Sequence, residues 1–395
     1  MNISYTDLVA ESTTLQQMLV DVRRKLHQYP ELGFSETQTA STIRSKLIEH
    51  GLTVSEPLAG TGFYTDIHGK IPGKLVAYRA DIDALPIQDQ KNVSYASKHP
   101  GIAHMCGHDY HTSVALGVAL LLHQNRDNFK GTVRVFWQPA EETTPSGAPK
   151  MIEDGVLNNV DAVFGVHCDP HLSSGKVGIR NGTLTGSFDA FEIEVIAPNS
   201  IHSARPHLGK DAMWISNQLV QQMYQLSTRI TDSRSPSVIS VCTFHGGEAI
   251  NVIPDRVKFS GTIRTSDPHS RAVLKNHVHS LCNSMESIHG VTITCEILGG
   301  APPVINDASL FSFVDETLGK IMDRNAITYP EQSMGAEDFA YYGELKPAFF
   351  MRIGTSNGPE TSYALHSTKF DVDESTLQSA VAIETFLLSQ YLNIN

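Results

Sequence analysis

The chain has 395 residues, and 30 Lys and Arg against 42 Asp and Glu leave a formal charge of -12, which argues against an electrostatic grip on nucleic acid or an anionic membrane surface. Hydrophobic residues make up 41% and charged residues 18%. That is enough apolar material to exclude broad disorder and to fill two cores at about 150 residues per domain.

The first residues carry neither a basic start nor a continuous apolar stretch, so no secretory signal is expected. An amphipathic helix through Leu26 and a second over 36–50 open the chain. Short apolar runs at 75–78, 133–137 and 162–166 then alternate with helical stretches, as expected of central strands covered on both faces. Each run is followed by polar residues: Asp81 and Asp83, then Glu141 and Glu142, then His167. In open α/β sheets ligands bind beyond the carboxyl ends of the strands, where these groups fall. The apolar run 114–122 is far shorter than the roughly 20 residues of a spanning helix.

Beyond Val177 the texture changes to a strand over 188–197, a helix over 211–230, strands over 237–244 and 256–264, a helix over 270–288 and a strand over 291–298. The order βαββαβ is that of a ferredoxin-like unit. It ends at Gly299, Gly300, Pro302 and Pro303, which suit a hinge. The α/β pattern then resumes with a helix over 309–324, a strand over 348–353 and a final helix from Glu374. The expected architecture is therefore α/β. A domain with a mixed central sheet covered by helices, 1–177 and 299–395, carries an inserted ferredoxin-like domain, 178–298. Five scattered cysteines, an odd number, do not form a disulfide framework, and a cytoplasmic address is expected.

The densest cluster of reactive side chains is HMCGHDYHT, at 104–112. Cys106 and His108 are separated by Gly107, so a thiolate and an imidazole can converge on one ion while the glycine adopts a backbone geometry other residues resist. Asp109 is placed to orient a ligand imidazole. The adjacent Glu141 and Glu142 diverge, so one can bind metal while the other accepts a proton. Asp81 and Asp83, two apart, share a face in extended chain and are expected to support the ligands from behind. Each feature also has a plainer reading: a buried cysteine, a solvated Glu-Glu turn, a core histidine at His167. His366, before the last helix, says little by itself. Together, Cys106, His108, Glu142, His167 and His366 offer five mixed ligands, more than one closed zinc site needs. A pair of divalent ions, Mn, Zn, Co or Ni, fits better. No GxGxxG at a strand end and no P-loop is present.

The segments RRKLHQYPELGFSE, RADIDALP, HMCGHDYHT, WQPAEE, GVHCDP, HSARPHLGKDA, GGEAINVIPD, GTIRT, MGAEDFAYY and LHSTKFDVDE occur in this order over nearly the whole chain. They resemble the amidohydrolase branch of the aminoacylase and carboxypeptidase-type dinuclear metallopeptidases, which includes hippurate hydrolases, auxin-conjugate hydrolases and N-acetyl-diaminopimelate deacetylases. The resemblance implies Cys106, His108, Glu142, His167 and His366 as metal ligands. It implies Glu141 as the general base that takes a proton from the attacking water and returns it to the leaving amine. It further implies His202 as a donor to the developing oxyanion, often across a dimer interface, and Asn251 and Arg264 as substrate contacts. His27 and Glu31 are expected to secure the first helices.

Two places depart from the family pattern. Ser200 and Ile201 stand where two glycines usually precede the lid histidine, and Thr368 replaces the proline after Ser367. The implied activity is metal-dependent hydrolysis of N-acyl amino acids or related small N-acyl amines. The alternatives are a dinuclear dipeptidase or carboxypeptidase, and a non-catalytic ligand-binding homologue. The inserted domain is expected to act as a lid and to make a homodimer through its free sheet edge and long helix.

Overall fold

The computed structural model describes residues 3–393, which divide into two compact units. Helix α1 (Tyr5–Gln28) buries Leu8, Leu19, Val22 and Leu26 along one face, the repeat of three and four that makes a helix amphipathic. The Glu31 carboxylate accepts from the backbone N–H groups of Gln38 and Thr39, satisfying donors left open at the start of α2 (Thr37–Glu49). Strands β1 (Phe63–His68) and β2 (Ile71–Asp81), helix α3 (His108–Gln124), strand β3 (Lys130–Gln138), helix α4 (Gly147–Glu153) and strand β4 (Ala162–Ser173) follow, with the short strands β5 (Val177–Gly178) and β6 (Gly182–Thr183).

The next elements form the second unit: β7 (Asp189–Ile196), β8 (Ile201–His202), α5 (Ala212–Arg229), β9 (Ser237–Gly246), β10 (Val252–Ile253), β11 (Arg256–Thr265), α6 (Pro268–His289) and β12 (Thr292–Leu298). Its sheet runs β12-β7-β11-β9, antiparallel throughout, the ferredoxin-like order that βαββαβ implies. The Asp211 and Asp267 carboxylates cap α5 and α6 by accepting from the backbone N–H groups of Trp214 and Ser270. Pro268 in the first turn and the left-handed Gly290 mark the two ends of α6. Phe191, Ile193 and Val195 of β7 alternate with partly exposed neighbours and meet Ile215, Leu219 and Met223 of α5 and Leu274, Val278 and Cys282 of α6 in one core.

The chain then re-enters the first unit with β13 (Ile305–Asn306), α7 (Ala308–Ile321), β14 (Ile327–Thr328), α8 (Ala340–Gly343), β15 (Ala348–Ser356) and α9 (Thr376–Asn393). The seven-stranded sheet runs β1-β3-β2-β4-β15-β5-β14. It is mixed: β2 is parallel to β3 and β4, and β15 is parallel to β4 but antiparallel to β5. Helices α3 and α9 pack on each other and on α1, and α3 is buried from His108 to Leu122.

The division falls at 184/185 and 304/305 rather than at 177/178 and 298/299, and Gln332–Glu337 belongs to the second unit. The pairing explains the shift: β5 and β6 hydrogen-bond to β15, β14 and β13 of the first unit, while Ser333 bridges Thr185. The helix expected over 309–324 stops at Ile321, and Arg324–Ala326 is a separate turn capped by Asp323. Among the described residues no helix is long and apolar enough to cross a membrane.

Candidate active site

The parallel strands β2, β3 and β4 bring Asp81, the Glu141–Glu142 pair and His167 toward one edge of the first sheet. Helix α3 begins at His108, ahead of the apolar run 114–122, so His108 and His111 share a helix face. Gly107 before it is left-handed, with φ 88°. A Cβ at Gly107 would stand 2.3 Å from Cys168 Sγ, so both conformation and space demand glycine between the two reactive side chains. The Glu-Glu turn is pinned from both sides: Ala140 N–H donates to the buried Glu36 carboxylate and Glu142 N–H to Asp83 Oδ2 at 3.0 Å. His366 N–H donates to the Met105 carbonyl.

These constraints bring the five expected ligands into two groups. The ligand atoms of Cys106, His108 and His167 lie within 4.8 Å of one another, and so do those of Cys106, Glu142 and His366. Cys106 is common to both. Its Sγ is 3.4 Å from His167 Nε2, and Glu142 Oε1 is 3.1 Å from His366 Nε2. His108 Nδ1–H donates to the Asp83 carbonyl at 2.9 Å, and His167 Nδ1–H to the Cys168 carbonyl at 2.7 Å. Each ring therefore turns its Nε2 lone pair toward the site, as metal-binding imidazoles do. His108 Nε2 is buried with no hydrogen-bond partner, 4.0 Å from both Glu141 Oε2 and Glu142 Oε1.

The electrostatics suit a bound cation. Burial works against charge on His108, yet the carboxylates of Asp81 and Asp83 outweigh it and hold its pKa at about 10. Burial, with Glu142 and Glu141 beside it, pushes the Cys106 thiol well above its ordinary value. A pocket that retains a proton on a buried imidazole and discourages a thiolate is short of positive charge. The donor set and the unpartnered His108 Nε2 therefore fit divalent metal.

A supporting layer lies behind the ligands. Asp81 accepts from His111 Nδ1 at 2.7 Å and from Arg79 at 2.7 Å. Burial raises its pKa, but His108, His111 and Arg79 hold it well below the carboxylate range. Asp83 orients His108 and the Glu142 backbone, so both aspartates stand behind the ligands. Asp109 does not. It pairs at 2.8 Å with Arg23 and at 2.8 Å with His27 of α1, because consecutive helical residues point about 100° apart. Asp109 thus ties α3 to α1 rather than orienting a ligand. Two further supporting residues lie in the segments RADIDALP and MGAEDFAYY, which gave neither of them a role. Arg79 bonds Asp338 at 2.8 Å in full burial, and Asp338 also takes Gln138 and the Ala148 N–H and lies beside Glu141.

His202, Asn251 and Arg264 lie in the second unit. His202 pairs across the β8–β10 ribbon with Val252 and is exposed, as is Asn251, whose carbonyl accepts from Ser203 N–H. Ile201, in place of a glycine, is buried against Gly209 and anchors the base of this ribbon. Arg264 donates to the Met334 carbonyl at 2.8 Å and stacks on Phe188.

The mixed sheet, the inserted ferredoxin-like unit and the Cys, His and Glu cluster define a metal-dependent hydrolase. Residues 77–390 match the peptidase family M20/M25/M40. The chain is 37% identical over 368 residues to N-acetyl-L-cysteine deacetylase of Bacillus subtilis, covering 93% of this chain and 86% of that one. It is 35% identical over 386 residues to thermostable carboxypeptidase 2 of Saccharolobus solfataricus, covering 96% of each. The crystal structure of Bacillus subtilis YXEP protein, described as a dinuclear metal binding peptidase from M20 family, superposes with a TM-score of 0.84 at 34% identity, covering 96% of this chain and 99% of that one. The chain belongs to peptidase family M20/M25/M40.

Proposed function

We propose that this protein hydrolyses the amide bond of N-acyl amino acids or related small N-acyl amines. The observation that carries the proposal is the buried Cys106, His108 and His167 group, its imidazole Nε2 atoms turned inward, with Glu141 beside it. Cys106, His108, Glu142, His167 and His366 would hold two divalent ions, drawn from Mn, Zn, Co and Ni, whose Lewis acidity polarises the amide carbonyl and the attacking water. Glu141 accepts the water proton and delivers it to the leaving nitrogen. Asp81 and Asp83 keep the imidazoles in register through this transfer. His202 donates to the carbonyl oxygen as negative charge develops there. Asn251 and the Arg264 guanidinium bind the substrate, the latter matching a free carboxylate.

The carboxypeptidase relative supports a second reading, cleavage of dipeptides or peptide C-termini. A panel of N-acetyl and N-benzoyl amino acids beside dipeptides separates the two. Release of amino acid from the N-acyl compounds, lost in Glu141→Ala, is expected; turnover confined to peptides overturns the proposal. We further propose a homodimer through the second unit, where β9 is an edge strand with Val238 and Phe244 exposed and α5 presents Trp214. A monomer mass by light scattering at micromolar concentration contradicts it. All five cysteines are free thiols, which supports a reducing, cytoplasmic setting.

A further inference from the structure

The turn that bears Glu141 leaves β3 at Gln138 and re-enters regular structure at Gly147 and Ala148 of α4. Asp338, buried two residues ahead of α8, holds both ends of that turn at once. Its carboxylate accepts from the Gln138 side-chain amide at 2.7 Å and 2.9 Å and from the Ala148 N–H at 3.1 Å. Arg79 donates to the same carboxylate at 2.8 Å, so the buried negative charge is matched. The Asp338 backbone N–H in turn donates to Glu141 Oε1 at 3.4 Å. The other Glu141 oxygen, Oε2, is the one that faces His108 Nε2.

Within the turn, Ala140 is left-handed, with φ 55°, a conformation that a residue with a Cβ keeps only where its surroundings impose it. Here the Ala140 N–H donates to the buried Glu36 carboxylate, and its carbonyl accepts from the Gly147 N–H at 2.8 Å. The residue before Glu141 is therefore fixed at both backbone groups, between ends that Asp338 fixes.

We propose that Asp338 is a positioning residue for the general base: its carboxylate clamps the two ends of the turn, and its own N–H sets the direction of the Glu141 carboxylate. The inference rests on the reading of Glu141 as the base. An N–H bound to one carboxylate oxygen leaves the second oxygen turned toward the ligands, where the proton has to be collected and returned. On an unclamped turn the carboxylate would sample other rotamers and spend part of its time out of reach. Arg79 extends the clamp to the ligands. It also bonds Asp81 at 2.7 Å, and Asp81 lies 3.7 Å from His108 Nε2, so base and ligand are held in register through one guanidinium.

The test is a double-mutant cycle between Asp338→Asn and Glu141→Gln in the metal-loaded protein. For each variant kcat, KM and metal content are read, on whichever of an N-acetyl amino acid or a dipeptide the wild type turns over. Asp338→Asn keeps the shape of the side chain and the backbone N–H but removes the charge that holds them. Its kcat should fall about 10²-fold, the cost of displacing a reacting group by about 1 Å, with KM and metal content at wild-type values. In the Glu141→Gln background the same change should have no further effect, because no base is left to aim. Gln138→Met loosens the clamp from the other side and leaves the Arg79–Asp338 ion pair in place. It should repeat the pattern, and it decides the matter if circular dichroism shows Asp338→Asn unfolded. Undiminished kcat in both variants, a loss that multiplies with that of Glu141→Gln, or a loss that tracks missing metal would overturn the inference. Wild-type kcat in Glu141→Gln would instead overturn the reading of Glu141 as the base, and this inference with it.

Discussion

The residues expected to carry chemistry fall in two regions built on opposite plans. In the first unit, Cys106 in the turn before α3, His108 on α3 and His167 on β4 are all buried, and each imidazole is fixed by a carbonyl on its far nitrogen. In the second, His202 stands exposed on a two-stranded ribbon and Asn251 in the turn leading into it. The first region is preorganised and charged at a cost in burial energy, as a metal site must be. The second is suited to meet a substrate that comes and goes. Variants in the two regions should therefore fail in different ways.

The largest effect falls on Glu141. Glu141→Gln should lower kcat by about 10²- to 10⁴-fold, the usual contribution of a general base, with metal content unchanged by elemental analysis. His202→Ala should lower kcat by about 10²- to 10³-fold, again with full metal content. Equal loss of metal in this variant would erase the contrast between the regions. Asp83→Ala removes the carboxylate beside His108 and under Glu142, and should weaken metal affinity about 10- to 100-fold, measured by competition with a chelating dye. Gly107→Ala should cost more than about 2 kcal/mol in thermal unfolding, from left-handed strain and the contact with Cys168.

The smallest effect lies away from both regions. Glu384 is buried in α9, and burial pushes its carboxyl well above the ordinary range. The folded chain therefore holds a proton that the unfolded chain releases near pH 4.3. This group's contribution is retained below that pH and lost as pH rises toward the folded-state pKa, at no more than about 1.4 kcal/mol per pH unit. Glu384→Gln should flatten that part of the stability curve in denaturant titrations at a series of pH values.

Much of this was legible because periodicity and chemistry coincide along the chain. The βαββαβ order read from 188–298 is the order of the second sheet, since alternating burial in β7 and helical spacing in α5 and α6 are both written locally. Two aspects of the site were hidden. Its place beside His108 in the cluster at 104–112 made Asp109 look like a partner for a ligand. The helix in fact starts at His108, turns Asp109 to the back and pairs it with Arg23 and His27. Asp338 lies in the quoted segment MGAEDFAYY, but its role was hidden for the opposite reason: its partners Arg79 and Gln138 lie far away in sequence, and only the sheet brings them together. Local pattern shows which side chains can do chemistry; long-range pairing decides which of them are held in place.

The most direct test of the central claim is metal stoichiometry by elemental analysis on wild type and Cys106→Ala, each reconstituted with Mn, Zn, Co or Ni, alongside hydrolysis of an N-acetyl amino acid. The account predicts two ions per chain and metal-dependent turnover in wild type, both lost when Cys106, common to the two ligand groups, is removed. Full activity in the metal-free protein, or two ions and undiminished turnover in Cys106→Ala, would contradict it.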